Sequence, residues 1–197
     1  MSHYFTNNEN LKSEMRTIDY NYLDQHLSFL SDNGVFSKNK IDYGSKLLVE
    51  TFLKQSNEAI ENILDIGCGY GFIGVSLAKI LNVRVEMVDI NKRAIHLCSK
   101  NIKNNNVNAI CYESNGIDNV NNKFDIIISN PPIRVGKSIL LNILRTAKSK
   151  MKSNGCLWFV IRKDQGAKSI MKNLEDIYEC EVIEKDKGFF IIKAKIK

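Results

Sequence analysis

The stretch ILDIGCGYGFIG, residues 63–74, constrains this chain more than any other. Ile63 to Ile66 is apolar enough for a buried strand, and the residues from Phe72 onward have helical spacing. Three glycines two apart, Gly67, Gly69 and Gly71, join the two. Glycine adopts left-handed backbone angles freely and lets another group approach the main chain. The helix start then offers N–H groups that have no partner inside the helix. A strand turning this sharply into a helix is one unit of an α/β fold, and it places a ligand at the strand's carboxyl end.

The same rhythm continues from residue 61. Strands are predicted at Asn62–Ile66, Arg84–Asp89, Ala109–Tyr112, Phe124–Ser129 and Cys156–Arg162. Helices are predicted at Phe72–Leu81, Asn91–Asn104, Lys137–Met151 and near Gln165–Leu174. Such alternation builds a parallel, doubly wound sheet. The last two strands, Tyr178–Glu184 and Phe189–Ile196, are joined only by Lys185-Asp186-Lys187-Gly188. A parallel crossover needs about a dozen residues, so this pair is an antiparallel hairpin. Residues 1–60 lack the rhythm: Thr17–Tyr22 alternates polar and apolar and pairs with Gln25–Leu30, and a helix covers Gly44–Leu53. We expect one domain over 1–197, with 61–197 as the catalytic core and 1–60 as an N-terminal hairpin and helix elaboration.

Charge is unevenly spread. Residues 134–197 carry 15 Lys/Arg and 7 Asp/Glu, whereas residues 1–133 carry 13 and 15. No acidic residue falls between Asp125 and Asp164, while Arg134, Lys137, Arg145, Lys148, Lys150, Lys152, Arg162 and Lys163 do. A basic surface of this kind suits a polyanion. No apolar run approaches the ~18 residues that span a bilayer, and the N-terminus lacks the pattern of a signal peptide. The five cysteines are scattered without a CxxC pair, and His3, His26 and His96 have no ligand spacing. Free buried thiols are expected rather than disulfides or zinc. The expectation is a cytoplasmic monomer with no metal and no membrane attachment.

Two ligand classes fit the glycine turn. Gly69-x-Gly71-x-x-Gly74 matches the dinucleotide pattern, in which the helix start holds a pyrophosphate. Asp65-x-Gly67-x-Gly69-x-Gly71 matches the first motif of enzymes that bind S-adenosylmethionine. A carboxylate at Asp65 suits an ammonium and a sulfonium and repels a pyrophosphate. Asp89 ends the next strand, where a carboxylate can accept both hydroxyls of a ribose; it could equally cap the following helix. Ile90 is placed to lie against an adenine face. Asp89 suits either ligand.

Ser129-Asn130-Pro131-Pro132 separates them. Pro131 and Pro132 are the only prolines in the chain. Proline lacks an N–H and fixes its φ angle, and it pushes the preceding residue out of the helical region. Asn130 is therefore held extended at a strand tip. Its side-chain oxygen and the Pro131 carbonyl form two fixed acceptors, suited to a planar –NH2 with two hydrogens. Hydrogen bonds to both hydrogens aim the nitrogen lone pair at a methyl donor, which is orientation plus electrostatic preorganisation.

Asp65-Ile66-Gly67-Cys68-Gly69-Tyr70-Gly71, Asp89 and Ser129-Asn130-Pro131-Pro132 together resemble the amino-methylating class I methyltransferases. GVFSKNKIDYGSKLL, residues 34–48, resembles the segment entering the catalytic domain of small-subunit ribosomal RNA guanine-N2 methyltransferases, here in a single-domain form. The resemblance implies a Rossmann-like seven-stranded sheet of order 3-2-1-4-5-7-6 with the last strand reversed. It also implies S-adenosylmethionine as donor, and guanine N2 in ribosomal RNA or the small ribosomal subunit as target. Two positions depart from the family. Asn115 stands where an aspartate usually meets the adenine amino group; its carbonyl can accept the same bond. Ile133 stands where an aromatic residue commonly stacks on the flipped base, so Ile133, Phe36 or the Arg134 guanidinium takes that place. Arg134 and Lys137 are candidate phosphate contacts. The rival functions are methylation of adenine N6 or of a protein glutamine amide, and a non-catalytic RNA-binding relative.

Overall fold

The structure is a computed structural model and describes residues 12–55, 59–132 and 136–197. Nine strands and five α-helices follow in chain order among these residues: β1 (Arg16–Tyr22), β2 (Gln25–Ser31), α1 (Tyr43–Gln55), β3 (Asn62–Ile66), α2 (Phe72–Leu81), β4 (Arg84–Asp89), α3 (Lys92–Asn105), β5 (Ala109–Glu113), β6 (Phe124–Ser129), α4 (Lys137–Ala147), β7 (Met151–Arg162), α5 (Ala167–Leu174), β8 (Tyr178–Asp186) and β9 (Phe189–Ile196).

Seven strands form one sheet in the order β5-β4-β3-β6-β7-β9-β8. Numbered from β3, this is the expected 3-2-1-4-5-7-6. The strands β5 to β7 in that row pair in parallel, and β9 runs antiparallel to both of its neighbours. Lys187 and Gly188 close the β8–β9 hairpin at φ 45° and 80°. Two successive positive φ angles match the right-handed twist of the flanking strands.

The central strands are apolar throughout because both of their faces are covered. Ile63, Ile126, Ile128, Trp158 and Val160 point to one face and pack with Leu48, Phe52, Leu77 and Leu97 from α1, α2 and α3. Leu64, Ile127, Leu157 and Phe159 point to the other and meet Leu140, Leu144, Ile170 and Leu174 from α4 and α5. The β1–β2 hairpin is a separate two-stranded sheet, yet Tyr20, Leu27 and Phe29 join the first of these clusters. Asn101 and Asn105, one turn apart on α3, act as a partner for the edge of β2. Their side-chain oxygens accept from the N–H groups of Leu30 (2.7 Å) and Ser28 (3.0 Å), and their amides donate back to the same residues' carbonyls (both 2.9 Å). An exposed strand edge is thereby satisfied by side chains.

Most boundaries fall within two residues of expectation, and the largest difference lies between α4 and β7. The helix predicted to reach Met151 ends at Ala147, followed by a short 3-10 turn at Lys148–Lys150. Met151 already pairs with Phe124, and the register then slips so that Ile126 meets Cys156. Gly155 permits the slip: a Cβ there would lie 2.9 Å from the Phe124 carbonyl oxygen.

Candidate active site

The carboxyl ends of β3, β4, β6 and β7 open onto a cleft of about 500 Å³. Its two halves are built differently. The first half grows from the glycine turn. Gly67 and Gly69 sit at φ 74° and 56°, which a side chain rarely adopts. A Cβ on Gly69 would meet nothing within 4 Å, and one on Gly67 only Pro132 at 3.9 Å. Both therefore leave an open cradle on the cleft floor. Gly71 and Gly74 serve packing instead: a Cβ would stand 2.7 Å from Cys98 Sγ at Gly71 and 2.4 Å from Met87 Sδ at Gly74.

Asp65 lies beneath this turn, fully buried and outside the residues that line the cleft. Its Oδ2 accepts from Gly74 N–H (3.0 Å), and its Oδ1 has no hydrogen-bond partner among the described residues. Burial pushes its pKa up to about 7, with the Asp89 charge adding to the effect. The protein's own carboxylate thus fills the position at the start of α2 that a pyrophosphate would claim. Asp89 does line the cleft. Its Oδ2 accepts from Gly69 N–H (2.8 Å) and its Oδ1 from Asn91 N–H (2.9 Å). Burial raises its pKa, and these N–H bonds oppose the rise. The cap of α3 is Asn91, whose side chain accepts from Arg93 and Ala94 N–H groups, so Asp89 is not committed to capping. Ile90, 44% exposed, stands on the wall beside it. Asn115 also lines the cleft and donates through Nδ2 to Asp118 (3.3 Å).

The second half centres on Asn130, Pro131 and Pro132, which line the cleft at the tip of β6. Ser129, fully buried, donates to the Ile66 carbonyl (2.7 Å) and ties this tip to the glycine turn. The Asn130 amide donates to Asp42 Oδ2 (3.0 Å) and to Ser45 Oγ (2.8 Å). A carboxylate can only accept, so the end facing Asp42 is the NH2 and the carbonyl oxygen is turned away from it. Asp42 Oδ2 also accepts from Ser45 N–H (2.8 Å), capping α1. The sequence marks this segment as part of the elaboration and of the family-like stretch 34–48, without a role for Asp42 or Ser45. The signal for the cap was Asp42 three residues before Ser45; nothing local linked it to Asn130, 88 positions on.

Phe36 lines the cleft and is 38% exposed. Its loop is stitched to the start of α3, where the Gly34 carbonyl accepts from Asn91 Nδ2 (3.1 Å). Ile133 and Arg134 lie outside the described residues. Lys137 does not line the cleft; its Nζ donates to Ser169 on α5 (2.7 Å). Arg162, absent from the expected site, does line it. Its guanidinium grips Asp164 (2.9 and 3.1 Å) and sits 5.4 Å over the Phe189 ring, another cleft residue.

The acid-free sequence between Asp125 and Asp164 is not an acid-free surface. Lys152 pairs with Asp125 (2.9 Å) and Glu61 (3.2 Å), and Arg145 with Asp176 (2.6 Å). Asp125 and Glu61 flank the amino ends of β6 and β3, the edge of the sheet opposite the cleft. Among the described residues no helix is long and apolar enough to cross a membrane, and no group of three or more His, Cys, Asp or Glu could hold a metal ion.

A seven-stranded sheet of this order, with one reversed strand and a glycine turn facing an Asn-Pro-Pro tip, is the class I methyltransferase architecture. Residues 26–193 match the family described as methyltransferase small domain, and the chain belongs to that family. It is 40% identical over 198 residues to the uncharacterized protein YbxB of Bacillus subtilis (strain 168), covering 98% of each chain. It is 39% identical over 144 residues to the ribosomal RNA small subunit methyltransferase C of Buchnera aphidicola subsp. Acyrthosiphon pisum, covering 71% of this chain and 42% of that one. The chain thus spans well under half the length of that relative. Among solved structures, the T. thermophilus 16S rRNA N2 G1207 methyltransferase (RsmC), in complex with AdoMet and guanosine, superposes with a TM-score of 0.83 at 22% identity. The match covers 95% of this chain and 52% of that one.

Proposed function

We propose that this protein transfers a methyl group from S-adenosylmethionine to the exocyclic N2 of guanine in small-subunit ribosomal RNA. The observation that carries the reading is the Asn130 carboxamide, pinned through both amide hydrogens by Asp42 and Ser45 opposite the open glycine cradle.

The residues present fit the donor. Gly67 and Gly69 leave the backbone bare where its methionine part would lie, and the buried Asp65 carboxyl beneath the turn would take on negative charge opposite the incoming ammonium. The two Asp89 oxygens take backbone N–H groups from Gly69, Asn91 and Ile90 and keep lone-pair capacity for a ribose hydroxyl. Ile90 covers one adenine face, and the Asn115 carbonyl accepts from the adenine amino group, its own amide being held by Asp118. S-adenosylmethionine supplies a methyl group on a positively charged sulfur.

Asn130 Oδ1 and the Pro131 carbonyl accept the two amino hydrogens and draw the lone pair out of conjugation. Proline stiffness keeps them in place without reorganisation at the moment of transfer. No base is needed before attack, because the proton leaves afterwards. Phe36 and the Arg162–Phe189 pair form the rim against which a flipped base can stack. The test is transfer of labelled methyl groups from S-adenosylmethionine to small-subunit RNA taken from a strain lacking the gene, followed by nucleoside mass spectrometry. N2-methylguanosine is expected; N6-methyladenosine, or label only in protein, would replace the reading with one of its rivals.

A further inference from the structure

The groups around Asn130 act on its amide as acceptors, and only the Ser45 hydroxyl keeps a proton of its own. Both hydrogens of the Asn130 amide are taken, one by Asp42 and one by Ser45. Its nitrogen therefore has no donor left for a ring nitrogen of the base. What remains toward the cleft is the Asn130 oxygen and, on the amide side of that residue, the Asp42 carboxylate and the Ser45 hydroxyl, which also line the cleft. We propose that Asp42 selects the target base, accepting the ring N–H that neighbours the amino group in guanine and repelling bases with a ring acceptor there. The inference rests on the guanine reading above.

The chemistry of base edges makes the choice. Guanine presents N1–H beside its 2-amino group, so its two donors can be shared between the Asn130 oxygen and the Asp42 carboxylate. Adenine and cytosine present a lone pair beside their amino groups, N1 beside N6 and N3 beside N4. Against a carboxylate, and with the Asn130 amide already committed, that lone pair has only the Ser45 hydroxyl left to donate to it, and an ill-paired buried acceptor is disfavoured. The repulsive element carries as much of the selectivity as the attractive one. Capping α1 does not by itself call for a charge at position 42, since Ser and Asn cap as well as Asp. An obligate acceptor there also orients the Asn130 amide, and the test below separates the two roles.

The test uses the protein saturated with S-adenosylhomocysteine and titrated with guanosine, adenosine and 2-aminopurine riboside, followed by NMR. The last probe keeps the 2-amino group but carries an acceptor at N1. Wild-type protein is expected to bind guanosine at least about tenfold more tightly than 2-aminopurine riboside. Asp42→Asn should bring that ratio within about threefold, because a carboxamide can turn either a donor or an acceptor to the ring. Asp42→Asn protein that keeps the wild-type ratio overturns the proposal and leaves Asp42 as a positioning residue for Asn130. Unchanged S-adenosylhomocysteine affinity certifies the fold of the variant, and Asp42→Ser, also a good cap, takes its place if Asp42→Asn does not fold. A wild-type protein that prefers adenosine, or binds no guanosine, overturns the guanine target itself and the inference with it. A preference for guanosine that Asp42→Asn does not move overturns the inference alone.

Discussion

The two halves of the cleft are assembled by opposite strategies. The cofactor half is local: Asp65 reaches Gly74 nine positions on, and Asp89 reaches back 20 positions to Gly69. Backbone turns do most of the shaping. The acceptor half is long-range: Asn130 is held by Asp42 and Ser45, 88 and 85 positions away. Tyr43, beside that cap, donates to Asp186 across 143 positions. Side chains fix this half, on a helix that precedes the sheet in sequence. On the roles proposed above, binding the donor and aiming the acceptor are separable, and substitutions should split affinity from turnover accordingly.

The largest expected effect falls on turnover alone. Asn130→Ala removes one of two preorganised acceptors and should lower kcat by about 10²–10³ or more in methyl-transfer assays. Next comes the cofactor half. Asp89→Ala deletes the proposed ribose acceptor and should weaken S-adenosylmethionine by about 10–100-fold in calorimetry. An affinity within twofold of wild type would remove Asp89 from the site. Ser45→Ala releases one hydrogen of the Asn130 amide. It should cost about 5–10-fold in kcat and leave cofactor affinity alone; a matched loss of both would show that the halves are not separate.

Charge offers a smaller contrast between the rim and the opposite edge. Lys163 and Lys187 are chain neighbours of the cleft residue Arg162 and of Gly188, and Lys163 N–H donates to the Gly188 carbonyl (2.8 Å). Reversing both to Glu should flatten the salt dependence of RNA binding by about two log units per log of salt. Reversing Lys150 and Lys152 should leave that slope unchanged. If only the second pair moves it, the RNA lies at the opposite edge.

The smallest effect concerns stability. An Asp65 carboxyl whose folded pKa is about 7 keeps its proton where the unfolded chain has lost it. Stability without cofactor should therefore fall as pH rises from about 4 through 7, the unfolded state binding fewer protons in that window. Asp65→Asn should flatten this fall by at least about 1 kcal/mol, or roughly 2–4 °C in Tm between pH 5 and 8. A slope unaltered in the variant would mean Asp65 is ionised throughout.

Much of this was legible in the sequence, and the reason is locality. The bounds of β3, α2, β4, β6 and β9 coincide with those expected, because Gly67, Asn82, Asp89, Asn130 and Gly188 mark one end of each. The reversed β9 followed from a short linker. The β7 boundary was missed because Met151 starts a strand that slips register at Gly155, a contact with the Phe124 carbonyl that no local pattern records. In the site, glycine and carboxylate spacing pointed to the cofactor half. The partners of Asn130 were hidden, since a helix-capping aspartate looks the same whether or not a distant amide shares its oxygen. The acid-free stretch misled for the same reason: Lys152 and Arg145 find their acids across the fold.

Separateness of the two halves is the central claim, and calorimetric titration of Asn130→Ala with S-adenosylmethionine tests it most directly. The account predicts a Kd within about threefold of wild type in a protein whose turnover is nearly lost. A loss of affinity comparable to the loss of turnover would place Asn130 in the cofactor half and contradict it.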